Sequence, residues 1–151
     1  MDHRPLIDGV DLLLEVFGAW PSFREAQVVR LTLDRQGSGN SGPTLEAWIH
    51  LIEVRGGVDA DGPSALRIHA LAHLAFYGVT SLGMGGWCER NALSGLRIAD
   101  ASQHGLHGFD VEVEFVGASG VNAGFVCRRV EIRSVEPCAP DGSRLLDREA
   151  M

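Results

Sequence analysis

Phe17-Gly18-Ala19-Trp20-Pro21-Ser22-Phe23-Arg24-Glu25-Ala26-Gln27-Val28-Val29-Arg30-Leu31-Thr32-Leu33-Asp34-Arg35 is where this chain changes from one kind of structure to another. Just upstream, Leu12, Leu13, Val16 and Phe17 form an apolar stripe at i, i+4 spacing, which predicts an amphipathic helix over residues 9–17. Asp8 is placed to cap that helix, and Asp11 sits in its first turn, where the helix dipole favours an acid. Gly18 supplies the stop. Pro21 holds the Trp20 corner extended and out of helix. From Val28 the period switches to two: Val29, Leu31 and Leu33 face one way, Arg30 and Thr32 the other, as in a half-buried strand.

Beyond this junction the chain reads as strand after strand. Gln36 to Pro43 is a glycine-rich loop, followed by a strand over residues 45–54 with Leu45, Ala47, Ile49 and Leu51 on one face. After a turn region at residues 56–63 comes the cleanest alternation. Leu66, Ile68, Ala70, Ala72, Leu74 and Phe76 line one side; Arg67, His69, Leu71, His73, Ala75 and Tyr77 line the other. A short strand is expected within residues 79–90 and another over residues 93–99. Phe109, Val111, Val113 and Phe115 alternate with Asp110, Glu112 and Glu114. A hairpin turn at residues 117–120 leads into residues 121–127, which residues 129–135 extend or bend onward. The segment 138–151 is polar and reads as a frayed tail. One helix, many strands and short turns predict an α+β, mostly β fold: an antiparallel β-sheet meander with one short N-terminal helix packed on it. A β-sandwich without helix packing is the alternative. At 151 residues the chain suits a single domain, residues 1–151.

Composition narrows the function. No apolar run reaches the roughly 18 residues of a membrane span, and the N-terminus lacks a signal-peptide layout, so the chain reads as cytoplasmic. All 13 basic residues are arginine. With no lysine, a Walker A lysine, a Schiff-base lysine and a Ser-Lys dyad are excluded. A net charge of −7 repels nucleic acid and anionic membranes and favours a basic partner. The three cysteines, Cys88, Cys127 and Cys138, are odd in number and widely spaced, which fits free thiols in a reducing compartment.

Candidate chemistry is sparse. His69 and His73 have zinc-like spacing only on a helix; on a strand they lie about 13 Å apart. His104 and His107 lie in a glycine-rich loop without further ligands nearby, so no metal site is predicted. The carboxylate row Asp110, Glu112 and Glu114 shows no sign of the unequal environments that acid–base catalysis needs. It faces water, pairs across strands with Arg129 and Arg133, or meets a basic partner. Gly83-Met84-Gly85-Gly86 is too short for a dinucleotide fingerprint, and no serine sits in a nucleophile elbow. Neither a catalytic residue nor a cofactor is predicted. Trp20, Pro21 and Phe23 form an aromatic knot that seats the helix or anchors a partner.

The same junction resembles the opening of the bacterial immunity protein 50 family, close to F-G-x-W-P-S-F-H-D-A-E-V followed by L-x-L-D-R. Leu31-Thr32-Leu33-Asp34-Arg35 matches the second part. Leu74 to Val79 resembles the family's L-x-F-x-x-V strand, and Asn91-Ala92-Leu93-Ser94-Gly95-Leu96-Arg97-Ile98 its N-x-L-x-G-L-x-I segment. Residues 125–132 and 134–137 resemble the closing strand. Arg24, Glu25 and Gln27 depart from the family's histidine, aspartate and glutamate. The resemblance implies a binder that neutralises a cognate polymorphic toxin by stoichiometric occlusion, with no enzymatic activity and no cofactor. Trp20, Phe23, Asp110, Glu112 and Glu114 are the expected partner-binding residues. The rival reading is a small-ligand-binding β-domain that uses the Arg67/His69/His73/Tyr77 face.

Overall fold

The computed structural model describes residues 7–37, 42–55, 66–100 and 111–141. In chain order these form β1 (Ile7–Asp8), α1 (Val10–Phe17), β2 (Gln27–Asp34), β3 (Thr44–Arg55), β4 (Leu66–Tyr77), β5 (Thr80–Gly85), β6 (Ala92–Asp100), β7 (Val111–Ser119), β8 (Asn122–Cys127) and β9 (Arg129–Pro137). The described strands join in one mixed, largely antiparallel sheet, in the order β1-β9-β4-β3-β2-β6-β7-β8-β5. The expected mostly-β α+β class is what the chain adopts. The meander comes in two runs, β2-β3-β4 and β6-β7-β8.

Between the runs the sheet is barely continuous. β2 and β6 share one register pair, Gln27 with Ala92, supported by the Leu93 N–H donating to the Ala26 carbonyl at 2.8 Å and the Val28 N–H donating to the Asn91 carbonyl at 3.0 Å. There the sheet folds over. In a flat sheet four strand spacings, about 19 Å, would separate β4 from β7. Instead the Phe76 ring lies 5.9 Å from Phe115 and 5.1 Å from Phe125, centroid to centroid. Two layers therefore enclose one core, β1-β9-β4-β3-β2 on one side and β6-β7-β8-β5 on the other. The alternation read in β3 and β4 supplies its floor: Leu45, Ala47, Ile49, Ala70, Ala72, Leu74 and Phe76 are all fully buried.

The chain crosses between layers twice at one place. Only Gly78 and Val79 join β4 to β5, and only Arg128 joins β8 to β9. The Arg128 N–H donates to the Tyr77 carbonyl at 2.8 Å, which ties the crossings together. This crossing is why β9 pairs with β4 and, in parallel, with β1, rather than continuing the β7-β8 hairpin.

The helix forms where the stripe predicts, and its start differs. Its N-cap is Gly9, at φ 82°, with no side-chain cap; Asp8 belongs to β1, opposite Glu131. A Cβ on Gly9 would stand 2.3 Å from the Ile132 carbonyl oxygen, so close approach to β9 selects glycine over a capping side chain. Gly18 ends the helix as expected, at φ 77° with its N–H on the Leu14 carbonyl at 2.7 Å. Val10, Leu13 and Phe17 are the buried face, with Leu12, Leu14 and Val16 half-buried around them. Each fully buried side chain of this size contributes roughly 1.5–3 kcal/mol.

Two strand readings shift. In β2 a bulge between Val28 and Arg30 turns Val28 inward and leaves Val29 45% exposed, and Leu33 is 56% exposed near the strand end. β7 runs on to Ser119 and turns only at Gly120, because residues 116–119 still pair with β6. Cys138 and Ala139, at the start of the expected tail, are packed: both are buried, and the Cys138 N–H donates to the His69 carbonyl at 3.1 Å. Residues 142–151, Phe109, Asp110, His104, His107 and the turn at 56–63 lie outside the described residues.

Candidate functional site

The outer face of β2-β3-β4-β9 carries a tied polar network. Period-two alternation sets Glu46, Trp48 and His50 outward on β3, and His69, His73 and Tyr77 outward on β4. Register then aligns Arg30, Trp48, His73 and Ser134 in one row across four strands. The Arg30 guanidinium lies 4.7 Å from the Trp48 ring centroid, and Trp48 stacks on His73 at 4.2 Å with 13° between planes. His73 Nε2 donates to Glu46 Oε1 at 2.8 Å, and that oxygen also accepts from Arg133 at 3.2 Å. Two outward-facing rows away, the Tyr77 hydroxyl donates to Glu131 at 2.6 Å beneath the Arg129 guanidinium, 4.5 Å from the ring centroid. Burial, helped by the bond to Glu131, pushes the Tyr77 hydroxyl pKa up.

A histidine held by a carboxylate is a form that acid–base chemistry uses. Here the Nε2 of His73 and one face of its ring are occupied, and Glu46 is shared with an arginine. The arrangement locks side chains together. His69 is engaged elsewhere, its Nδ1 2.9 Å from His50 Nε2. His50 is only 1% exposed and its Nδ1 has no hydrogen-bond partner. Donation from His50 Nε2–H to His69 leaves Nδ1 a bare acceptor, less costly than an orphaned donor. Burial first, then the neighbouring His69, lowers the His50 pKa. His69, His73 and Tyr77 thus share a face, yet each is bound to a different partner. Among the described residues, no group of three or more His, Cys, Asp or Glu side chains is placed to hold a metal ion.

The expected partner residues fall in separate places. Trp20 is half-buried at the corner between α1 and β2, with its ring 5.5 Å from Phe23. Phe23 is 1% exposed, so it seats Trp20 and offers a partner no area of its own. Phe23 and Glu25 hold positive φ, 60° and 66°, a conformation that a bulky residue keeps only when packing imposes it. Arg24 and Glu25 are exposed and Gln27 is half-buried, so the departures from the family pattern leave the core intact.

Glu112 and Glu114 stand exposed on β7, in the other layer. Glu114 pairs with Arg97 of β6 at 3.0 Å. The expected partners, Arg129 and Arg133, are not available to it: the crossover puts β9 beside β4, where Arg129 meets Asp8 and Glu131 and Arg133 meets Glu46. Next to these glutamates β5, β7 and β8 shape an open trough of about 670 Å³. Sequence reading missed both this trough and the Trp48–His73–Glu46 network. The alternation of β3 already put Glu46, Trp48 and His50 on one outer face; their neighbours on β2, β4 and β9 needed the register.

All three cysteines are free. Cys88 is exposed; Cys127 and Cys138 are buried, and burial pushes their thiols up to about 12 and about 11.

Among the described residues, fold and surface define a mostly-β α+β structure of two sheet layers and one helix, with its side-chain networks on outer faces. No helix among the described residues is long and apolar enough to cross a membrane. The chain belongs to the immunity protein 50 family, whose model matches residues 10–138, helix through closing strand. No curated protein and no solved structure matches the chain.

Proposed function

We propose that this protein is the antidote of a toxin–immunity pair, a cytoplasmic stoichiometric binder that neutralises its cognate polymorphic toxin by covering the surface the toxin works with. It would carry out no reaction of its own. Membership of the immunity protein 50 family is the observation that carries this reading. The net charge of −7 supports a basic toxin, since complementary fields steer encounter and disfavour wrong partners. A neutralising interface of standard size buries about 1,600 Å² in total, with a few anchors dominating. For those anchors we propose Trp20 together with Glu112 and Glu114, with Asp110 as a further acid two residues earlier in the sequence and Phe23 holding Trp20 from behind.

The toxic domain encoded beside this protein's gene tests the reading, expressed alone and then together with the protein. Rescue of growth is expected, with the pair co-eluting as one complex on size exclusion. A neighbour that kills cells equally well in the protein's presence, with no complex on the column, would overturn it.

A further inference from the structure

The trough beside Glu112 and Glu114 owes its depth to glycines that the fold does not require. Gly9, Gly78, Gly86 and Gly120 have positive φ, and a Cβ on each would come within 3 Å of a neighbouring atom. Gly83, Gly85 and Gly124 differ. None has positive φ, a Cβ on Gly83 or Gly85 would meet nothing within 4 Å, and one on Gly124 would meet only the Val113 carbonyl oxygen, at 4.0 Å. The first atom of a side chain therefore fits at each of these positions. Glycine inside a strand costs stability, and it often marks a bulge, as beside Gly83, or a site where a ligand or another backbone approaches closely.

Register turns these glycines into a channel. Arg97, Glu114, Gly124 and Gly83 stand in one row across β6, β7, β8 and β5. From Glu114 the row runs over two bare positions to the edge of the sheet, about 10 Å at ordinary strand spacing. That edge is open. β5 ends the strand order, contains neither charge nor proline, and is exposed at every residue but Leu82. Natural sheets guard free edges with such residues or with cover. A bulge between Thr80 and Gly83 disrupts the first half of β5, while residues 83–85 stay regular. Met84 is 44% exposed in this strand and Trp87, two residues beyond it, 49%.

The charge of the trough selects its occupant. Among the described residues its only ionisable side chains are Glu112 and Glu114, and no basic residue lines it. Among the described residues Glu112 makes no ion pair, and Glu114 has only the exposed Arg97, a pairing that gains little and is readily shared.

The geometry points to this trough as the seat of the toxin: an extended basic segment of the partner lies along β5, and its arginine or lysine side chains cross Gly83 and Gly124 to reach Glu114 and Glu112. The inference rests on the toxin-binding reading above and adds which face binds and what chemistry the partner presents there.

Filling the channel tests it, with the purified toxic domain as the probe. Gly83→Phe combined with Gly124→Phe is expected to leave the melting temperature within a few degrees and weaken toxin binding at least 100-fold. Glu112→Gln with Glu114→Gln, which adds no bulk, is expected to slow association about tenfold at low salt and flatten its salt dependence. Should the filled protein fail to fold, the glutamine pair decides alone. A folded filled variant that binds within threefold of the parent overturns the trough while leaving the immunity reading standing. A glutamine pair with unchanged association rate overturns it likewise. If the parent protein neither binds nor neutralises the toxin, both readings fall together. If the parent runs as a dimer that the filled variant splits, the occupant is a second copy, and the toxin assignment is overturned.

Discussion

The two layers of this molecule finish their outer faces in opposite ways. On β2-β3-β4-β9 the side chains satisfy one another: Glu46 accepts from both His73 and Arg133, Trp48 lies between Arg30 and His73, and Tyr77 bonds Glu131. On β7-β8-β5 the rows run out into glycine, and of the trough's two carboxylates only Glu114 has a base beside it, the exposed Arg97, among the described residues. Both layers bury the same kind of core, so hydrophobic burial does not explain the difference. What separates them is whether polar groups and backbone find partners within the chain. A face complete in itself gains little from a second molecule. A face with a strand edge left unpaired among the described residues, and with charge only partly compensated, has more to gain.

Both layers share one core. Phe76 is the ring that joins them, in contact with Phe115 and Phe125 from the opposite layer. Phe76→Ala should therefore destabilise the protein by about 3–5 kcal/mol, in a single cooperative transition seen equally by tryptophan fluorescence and far-UV circular dichroism. Two separate transitions would break the picture of one folded-over sheet.

The glycines sharpen it next. Gly9→Ala places a Cβ against the Ile132 carbonyl in a left-handed conformation, and should cost about 2–4 kcal/mol by urea denaturation. Gly83→Ala meets no atom within 4 Å and has ordinary φ, so it should be neutral or stabilise by up to about 1 kcal/mol. Equal losses for the two would mean that the trough glycines serve the fold after all.

The finished face has one weak point. His50 is buried with its pKa lowered, so below its ordinary value of about 6.5 the unfolded chain takes up a proton before the native state does. Stability should thus fall as pH drops below 6.5, with this one group contributing at most about 1.4 kcal/mol per pH unit, and level off below the native pKa. Urea midpoints for the parent and for His50→Gln between pH 7.5 and 5 check this; the variant should show the shallower slope. The smallest effect is chemical. Because burial raises the Cys127 and Cys138 thiols, a thiol reagent at neutral pH should modify Cys88 rapidly in the native protein, and the other two only on denaturation. Mass spectrometry of the labelled chain would count them.

How far the chain could be read on its own follows from the range of each interaction. Alternation in residues 45–51 and 70–76 determined that part of β3 and β4 and which of its side chains line the shared core, because strand period is a property of the local backbone. The stripe ending at Phe17 determined α1 in the same way, and the motifs around Trp20, Leu74 and Asn91 carried the family. Pattern could not reveal that Asp8 would lose its capping place to Gly9, since the Ile132 carbonyl that forbids a side chain there lies more than a hundred residues away. Nor could it assign Glu114 to Arg97 rather than to Arg129 or Arg133. That choice belongs to the crossover at Gly78 and Arg128, which moves β9 into the other layer. The trough was hidden for the same reason. Gly83, Gly124 and Glu114 are scattered in sequence and become one row only through the register of β5, β8 and β7. Local propensity decided what the segments are; tertiary structure alone decided which of them stand side by side, because long-range pairing depends on shared burial that no short window of sequence contains.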